Sequence, residues 1–246
     1  MAKANGRTQA MMGLASGVGA ALLLAGHAVA ATPSKAGLTG MWSVDTEYFE
    51  GKKPPLPLTP DAQKLRDAKA RKVEAGDVIG EGGKVCAPHG MPSMMVNEFA
   101  LEFLETPGRI TIVNEAATLV RTVYMDRKAH TPDLEPSWNG HSIGHWEGDT
   151  LVIDTVNFND KGDLFGFVGV KSSTTHLVER YRVGKDGKSL VGEFTFEDPS
   201  YLTKPYSIRA TYHRLPEDAE LWEYACEIGG GWQERFKGDT AGVAAK

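Results

Sequence analysis

From Phe99 onward, short runs of strand-favouring residues alternate with tight-turn signals, and this pattern constrains the fold more than any other feature of the chain. Turn signals such as Thr106–Gly108 and Gly184–Gly187 separate neighbouring runs. About nine or ten strands with short links are typical of an antiparallel meander. We therefore predict an all-β protein, either a barrel or a barrel-like sandwich, because both arrangements protect the sheet edges. The predicted strands are Gly40–Val44, Phe99–Leu104, Arg109–Asn114, Leu119–Met125, two strands around the turn in His145–Leu151, Thr174–Val183, Leu190–Glu197, Tyr206–Arg214 and Leu221–Cys226.

One helix is predicted near the N-terminus, before the run of strands. Thr59 is a good N-cap, Pro60 suits the first helical position, and residues 61–75 are rich in Ala, Lys and Arg. Few large apolar residues occur there, so we expect a surface helix. Its weak contact with the rest of the protein should run through Ala62, Leu65 and Ala68.

The run 176–183 has polar residues on both of its faces. Mixed faces suit a barrel whose partly polar lumen holds a ligand. A sandwich with a polar outer face fits the same pattern, so the alternation leaves barrel and sandwich open.

The first 30 residues have the pattern of a cleaved secretory signal. Lys3 and Arg7 precede an apolar stretch centred on Leu22–Leu24, and Ala28–Ala30 forms an A-x-A cleavage site. No later run is long and apolar enough to cross a bilayer, so we expect no membrane insertion after cleavage. This predicts a periplasmic or secreted protein. Its parts are a signal peptide in 1–30, an N-terminal strand, linker, helix and loop in 31–98, and the main β region in 99–246, which forms one domain with 38–98.

The charge balance narrows the class of partner. The chain carries a net charge of -5, and loss of Lys3 and Arg7 would make it about -7. An acidic surface argues against nucleic acid, so a small-molecule ligand or substrate is the expected partner. The sequence leaves oligomer formation open.

Cys86 and Cys226 are the two cysteines of the chain. In an oxidising compartment they are expected to form a disulfide that closes a loop of about 140 residues, for which chain entropy gives at most about 4–5 kcal/mol. Two free thiols are the alternative.

The segment from His130 to Phe158 concentrates the chemistry-bearing side chains, with three of the seven histidines and two of the five tryptophans. We predict His141 as a general acid or base, with its imidazole turned inward onto a hollow enclosed by strands. Asp133 or Asp154 would orient it. In the alternative interpretation His141 only hydrogen-bonds a backbone carbonyl. Further catalytic candidates are His130, His176 and Tyr124, and the ligand-binding candidates are Trp138, Trp146, Arg121, Arg180 and Met94.

Metal and cofactor chemistry has little support in the sequence. In an extended segment, His141 and His145 would lie about 13 Å apart, too far for one ion. Nucleotide-binding glycine fingerprints, a serine-hydrolase elbow and haem-attachment cysteines are also missing from the sequence. We therefore predict neither a metal nor a cofactor.

The segment from Trp138 to Thr155 resembles the signature W-x-G-H-S-I-G-x-W-E-G-D-T-L-V-x-D-T of a family of exported bacterial proteins. The resemblance extends to Arg127-x-x-His130, to residues 177–181 and to residues 224–226, and it implies export without implying an activity. Residues 227–230 depart from the His-Glu-Gly-Asn that follows the last cysteine in the family. Gly40-x-Trp42 is similar to the start of calycin barrels such as lipocalins.

The leading functional hypothesis is an exported, cofactor-independent enzyme performing lyase, hydratase or isomerase chemistry on a small apolar or aromatic compound. The alternative is a periplasmic β-barrel carrier or sensor of a small hydrophobic ligand, without catalysis.

Overall fold

The computed structural model describes residues 37–45, 47–50, 53–75, 87–88, 90–116, 119–161 and 171–222, all within the compact unit Thr32–Lys246. The predicted signal peptide, both cysteines and most of the last predicted strand lie outside these residues. Two α-helices, a short 3-10 helix (Ser93–Met95) and nine strands are described. They are α1 (Glu47–Glu50), α2 (Pro60–Glu74), β1 (Gly40–Val44), β2 (Leu101–Thr106), β3 (Arg109–Asn114), β4 (Leu119–Tyr124), β5 (His141–Glu147), β6 (Thr150–Val156), β7 (His176–Val183), β8 (Ser189–Glu197) and β9 (Tyr206–Arg214).

The nine strands form a closed barrel in sequence order, which confirms the all-β prediction and selects the barrel over the sandwich. β1 closes the barrel because it pairs with β2 on one side and with β9 on the other. Eight of the nine neighbouring pairs are antiparallel, whereas β4 and β5 are parallel and share two residue pairs, Val123–Ser142 and Tyr124–Ile143. A parallel neighbour requires a crossover, and residues 125–140 provide it.

Some element bounds differ from the prediction. β5 begins at His141, four residues before the predicted start, because the turn at Trp138–Gly140 ends the crossover there. Gly140 has a φ of 68°, and a Cβ on it would lie 2.6 Å from the carbonyl oxygen of Val156. Glycine is therefore required where the crossover meets the barrel.

Helix α2 has the predicted cap, since the Thr59 hydroxyl accepts from the amide of Ala62 at 3.3 Å and Pro60 begins the helix. The predicted contact through Leu65 is wrong, because this side chain is 46% exposed. Of the other two predicted contact residues, Ala62 is buried and Ala68 is half-buried, and Arg66 and Lys69 are half-buried as well. In the described part of the chain, no helix is both long and apolar enough to span a membrane.

Side chains fill the barrel lumen. The Tyr181 ring is buried there, and its centroid lies 5.7 Å from that of Phe103 and 5.8 Å from that of Phe194, both in edge-to-face geometry. Further fully buried residues on the inner face are Trp42, Ile112, Val123, Leu151, Ile153, Leu177, Leu190, Phe196 and Tyr212. The lumen is partly polar, as expected from β7, but its polar groups are packed among these rings.

Candidate active site on the outer wall of the barrel

Strands β4 to β7 carry two polar clusters on opposite faces. Neighbouring residues of a strand point to opposite sides, and Val123, Ser142 and Thr155 occupy paired inner positions. His141 therefore faces outward, and the predicted inward orientation of its imidazole is wrong. The outer cluster consists of Tyr124, Arg127, His130, Thr131, His141, Asp154 and His176, and the inner cluster consists of Arg121, Ser142, Thr155, Glu179 and Tyr181.

Asp154 is the centre of the outer cluster. Its Oδ1 lies 2.9 Å from His130 Nε2 and 3.1 Å from His176 Nε2, so one carboxylate oxygen holds two imidazoles. His130 Nδ1 lies 2.8 Å from His141 Nδ1, which extends the chain of contacts to a third ring. The predicted candidates His130, His141, Asp154 and His176 are thus brought together in one hydrogen-bonded chain.

The arginine at the end of this chain fixes the proton positions. Arg127 Nη1 lies 3.2 Å from His141 Nε2, and a guanidinium only donates, so this nitrogen must accept. Neutral His141 then carries its proton on Nδ1 and donates to His130 Nδ1. His130 in turn carries its proton on Nε2 and donates to Asp154. Every contact of the chain is satisfied with neutral imidazoles and an ionised carboxylate.

His141 is the sheltered member of the cluster, with 7% of its surface exposed. Burial, followed by the neighbouring His130 and Arg127, lowers the pKa of His141 below its ordinary value. Its ring stacks on Tyr124 with centroids 5.4 Å apart. A neutral, stacked imidazole is suited to orienting His130 and poorly placed to meet a substrate.

His176 and Asp154 form the accessible side of the cluster. Their side chains are 35% and 40% exposed, against 23% for His130. Because His176 donates from Nε2 to Asp154, its Nδ1 carries the lone pair when the ring is neutral. The Glu197 carboxylate lies 3.7 Å from this nitrogen, close enough to interact with a protonated ring. The arrangement provides an oriented imidazole that can accept or release a proton at the surface.

Asp198 anchors the segment that leads into β7 and so positions His176. Its buried carboxylate accepts from the amide and hydroxyl of Ser172, both at 2.8 Å, and from the Thr175 hydroxyl at 2.7 Å. Such contacts fix the chain immediately before the histidine. Asp198 is therefore a structural carboxylate, and its hydrogen bonds to the loop before β7 help to position His176.

Lys171 holds the end of the crossover 125–140 through hydrogen bonds to backbone carbonyls. Its Nζ donates to the carbonyl oxygens of Met91 at 3.0 Å and Trp138 at 3.4 Å, and lies 4.6 Å from the Phe158 ring centroid. Burial, with a smaller contribution from Lys69, lowers the pKa of Lys171 to about 8. The crossover that carries His130 is thus held to the barrel by a buried amine.

The inner cluster is a buried ion pair with its hydrogen bonds satisfied. Arg121 contacts Glu179 through Nη1 at 3.0 Å and through a second, shorter contact from Nη2. Nε donates to the Ser142 hydroxyl at 3.1 Å, and Nη2 also lies 3.0 Å from the Ser142 hydroxyl and 2.9 Å from the Thr155 hydroxyl. The Tyr181 hydroxyl donates to Glu179 at 2.7 Å. Burial alone would lower the pKa of Arg121, but the Glu179 charge outweighs it and the pKa rises. Arg121 is therefore enclosed in the lumen, away from any outer ligand.

Other predicted ligand-binding residues are separated from the outer cluster. Trp146, predicted as a ligand-binding residue, lies on the opposite face of β5 from His141 and packs on the core. Trp138 is half-buried and holds Lys171 and Met91 through its carbonyl. Arg180 pairs with Glu147 at 2.6 Å on the exposed surface. Met94 is buried in the core.

Asp133 also stands apart. It is an exposed crossover residue with a φ of 56°, and among the described side chains it makes no hydrogen bond or ion pair with the cluster. Its positive φ, which aspartate tolerates better than most residues, indicates a turn role. Of the two predicted carboxylates, Asp154 is therefore the one that contacts the histidines.

The site-residue predictions did not include Arg127, Thr131, Glu197 and Lys171. Arg127 belongs to the quoted Arg127-x-x-His130 pattern, and this was the one available signal. The other three depend on strand register and crossover path, which local spacing does not reveal. Among the described residues, no group of three or more His, Cys, Asp or Glu side chains is arranged to hold a metal ion.

A comparison with protein-family models found no match to the chain, and a comparison with curated proteins found none either. The resemblance to the exported bacterial family therefore stays an expectation from the sequence.

Proposed function

We propose that this protein is an exported, cofactor-independent enzyme performing acid–base chemistry, of the lyase, hydratase or isomerase kind, on a small apolar or aromatic compound. The observation that carries the proposal is the bridging of His130 and His176 by one oxygen of Asp154. A carboxylate that orients an accessible imidazole is a recurrent arrangement for proton transfer. Export is part of the proposal and is supported by the charge and hydropathy pattern of residues 1–30.

His176 is the proposed proton-transferring group, since its Nδ1 lone pair points away from Asp154 and its side chain is accessible. His130 is a second group of this kind on the other side of the carboxylate. Asp154 keeps both rings in the Nε2–H tautomer. His141 positions His130 through the contact between their Nδ1 atoms. Ile143 and Val178 lie directly across from Asp154 on the neighbouring strands, and these half-buried side chains supply apolar surface for a substrate.

The test is carried out in deuterated solvent, because hydrogen exchange between a compound and the solvent can be detected before the substrate has been identified. The protein is incubated in D₂O with a pool of small aromatic and apolar compounds, and mass spectrometry records deuterium uptake or product formation. The expected result is turnover by the native chain and a loss of at least about 100-fold in His176→Gln and Asp154→Asn, which is typical for removing a general acid or base. His213→Gln is the matched control, because His213 pairs with Asp45 at 2.8 Å elsewhere on the barrel.

Turnover that survives in both variants would contradict the assignment of the site. Circular dichroism of each variant checks that the barrel is intact, so that loss of activity is not loss of fold.

A carrier is the second candidate, and one specific feature favours it. A cleft of about 470 Å³ lies outside β8 and β9, where α1 and the following extended segment cover them; its lining includes Tyr48, Lys53, Thr195, Ile208 and Arg209. A carrier would hold its ligand here, since side chains fill the lumen. Ligand retention unchanged in His176→Gln, without isotope exchange by the native chain, would support the carrier over the enzyme.

A further inference from the structure

Arg127 is an arginine of the outer cluster whose charge is not neutralised by any protein carboxylate that the structure describes. Its guanidinium lies over the Tyr124 ring, with Cζ 3.7 Å from the ring centroid. Nη1 donates to the Thr131 hydroxyl at 2.7 Å and to His141 Nε2 at 3.2 Å. In the described part of the chain no Asp or Glu oxygen lies within 4.0 Å of it. Asp154, the carboxylate of the cluster, is instead occupied by His130 and His176.

The geometry of this guanidinium is that of an anion receptor. The Tyr124 ring contacts the guanidinium and Nη1 is held by Thr131 and His141, which restricts the group. Nε and Nη2 are the donors without a described protein partner. A guanidinium edge presents two parallel N–H groups at the spacing of the two oxygens of a carboxylate. The exposed residue is therefore pre-organised for bidentate binding.

The side chains around the cluster restrict the chemical character of the rest of the ligand. Ile143 and Val178 flank Asp154 on the same outer wall, and Val156 is paired with His141. These three side chains are half-buried and leave apolar surface beside the imidazoles. A ligand that spans the guanidinium and this apolar strip needs one carboxylate and a small hydrophobic body.

We propose that the outer cluster takes small monocarboxylic acids with a planar apolar body, and that their carboxylate binds the free edge of Arg127 while the body lies along the strip beside Asp154 and His176. This rests on the proposed function, because it names the substrate class of the same site. It adds Arg127 as a binding residue that sets specificity for acids over their neutral analogues.

The experiment measures binding and not turnover, so its outcome is separable from that of the isotope test. Benzoate is the probe, and benzamide is the neutral analogue of nearly the same shape. Histidine side-chain ¹⁵N spectra of the protein are recorded during each titration, with the His141 signals assigned by their absence in His141→Gln. Engagement of Arg127 by a carboxylate changes its hydrogen bond to His141 Nε2, so this resonance reports occupancy.

The expected result is a saturable shift of the His141 Nε2 resonance with benzoate and at least tenfold weaker binding of benzamide. Benzoate affinities of the Arg127 variants are measured by calorimetry, because these variants alter the reporter hydrogen bond to His141. Arg127→Gln should weaken benzoate binding at least tenfold, whereas Arg127→Lys should lose less affinity because it keeps the charge but not the bidentate geometry. Arg180→Gln is the matched control, since Arg180 is an exposed arginine on the same wall but is paired with Glu147. It should leave benzoate affinity unchanged.

Three outcomes would overturn the inference: equal affinity for benzoate and benzamide, no saturable binding of benzoate, or full affinity in Arg127→Gln. If isotope exchange proceeds while benzoate fails to bind, the substrate class is wrong and the enzyme proposal stands. If benzoate binds through Arg127 and no exchange occurs with any compound, the binding site stands and the catalytic proposal fails.

Discussion

Removing one partner of the Arg121–Glu179 pair should destabilise the barrel far more than removing both. Side-chain exposures of 1% and 0% mean that either charge, left alone, has no access to water. Breaking a buried pair in this way costs about 3–5 kcal/mol. We therefore expect losses of that size in the free energy of unfolding for Arg121→Met and for Glu179→Leu, out of a total stability of about 5–15 kcal/mol for a domain.

The double variant should lose much less than the sum of the two single changes. With both charges gone, Ser142 and Thr155 still hydrogen-bond each other at 3.0 Å, and the Tyr181 hydroxyl is the group that loses its partner. An unsatisfied buried hydroxyl costs about 1–3 kcal/mol. The coupling energy between Arg121 and Glu179 should therefore be at least about 3 kcal/mol, against about 6–10 kcal/mol for additive losses.

The assay is urea unfolding followed by circular dichroism and tryptophan fluorescence for all four chains. The Arg180–Glu147 pair is the matched control, because its 2.6 Å contact is equally close but its side chains are 43% and 49% exposed. Its cycle should give a much smaller coupling, because water screens an exposed pair. Additive losses at Arg121 and Glu179, or equal coupling in the two pairs, would refute the reasoning from burial. Tyr181→Phe keeps the pair and tests the network even if a single charge variant fails to fold.

Two further predictions concern the crossover. The pKa of Lys171 is lowered to about 8 from 10.5 by burial, so between these pH values the unfolded chain binds more protons and the free energy of unfolding should rise with pH. Lys171→Met should remove this rise, worth up to about 3 kcal/mol, in urea titrations at pH 7.5 and 9.5, and an unchanged slope would contradict it. Gly140→Ala should cost about 2 kcal/mol or more, because the added Cβ would lie 2.6 Å from the carbonyl oxygen of Val156. Gly148→Ala has a similar φ of 59° with open space around it and should cost about 1 kcal/mol, so equal losses in the two variants would exclude the steric cause.

Much of the barrel could be predicted from the sequence because its strands are short, alternating and bounded by turn residues. β1, β3 and β9 have the predicted limits, and the Gly184–Gly187 turn joins β7 to β8. The parallel pairing of β4 with β5 could not be predicted, since it depends on where the crossover 125–140 re-enters the sheet. This connection has no periodic pattern of its own.

The members of the candidate site were easier to predict than their orientation. His130, His141, Asp154 and His176 were candidates because their residue types suit proton transfer, and they do meet. Alternation separates the two faces of a strand but does not say which one faces the interior when both are mixed. In β5 both His141 and Ser142 are buried, so burial alone does not show which of the two side chains points into the lumen and which lies on the outer wall. The contacts of Arg121 identify Ser142 as the inner residue, because Arg121 hydrogen-bonds both Ser142 and the buried Glu179.

The alternation of the two clusters along β5 and β6 makes the length of these strands as important as their composition. Suppose that a single residue is inserted between Ser142 and Thr155, outside the turn at Gly148–Asp149. The register of one strand would then slip by one residue, and its side chains would change faces. Hydroxyls would then point to solvent and ionisable rings into the hydrocarbon interior. Substitutions can be absorbed one at a time at such positions, whereas insertions and deletions damage both faces at once. Evolutionary or engineered variation in length should therefore be confined to the turns at the ends of these strands.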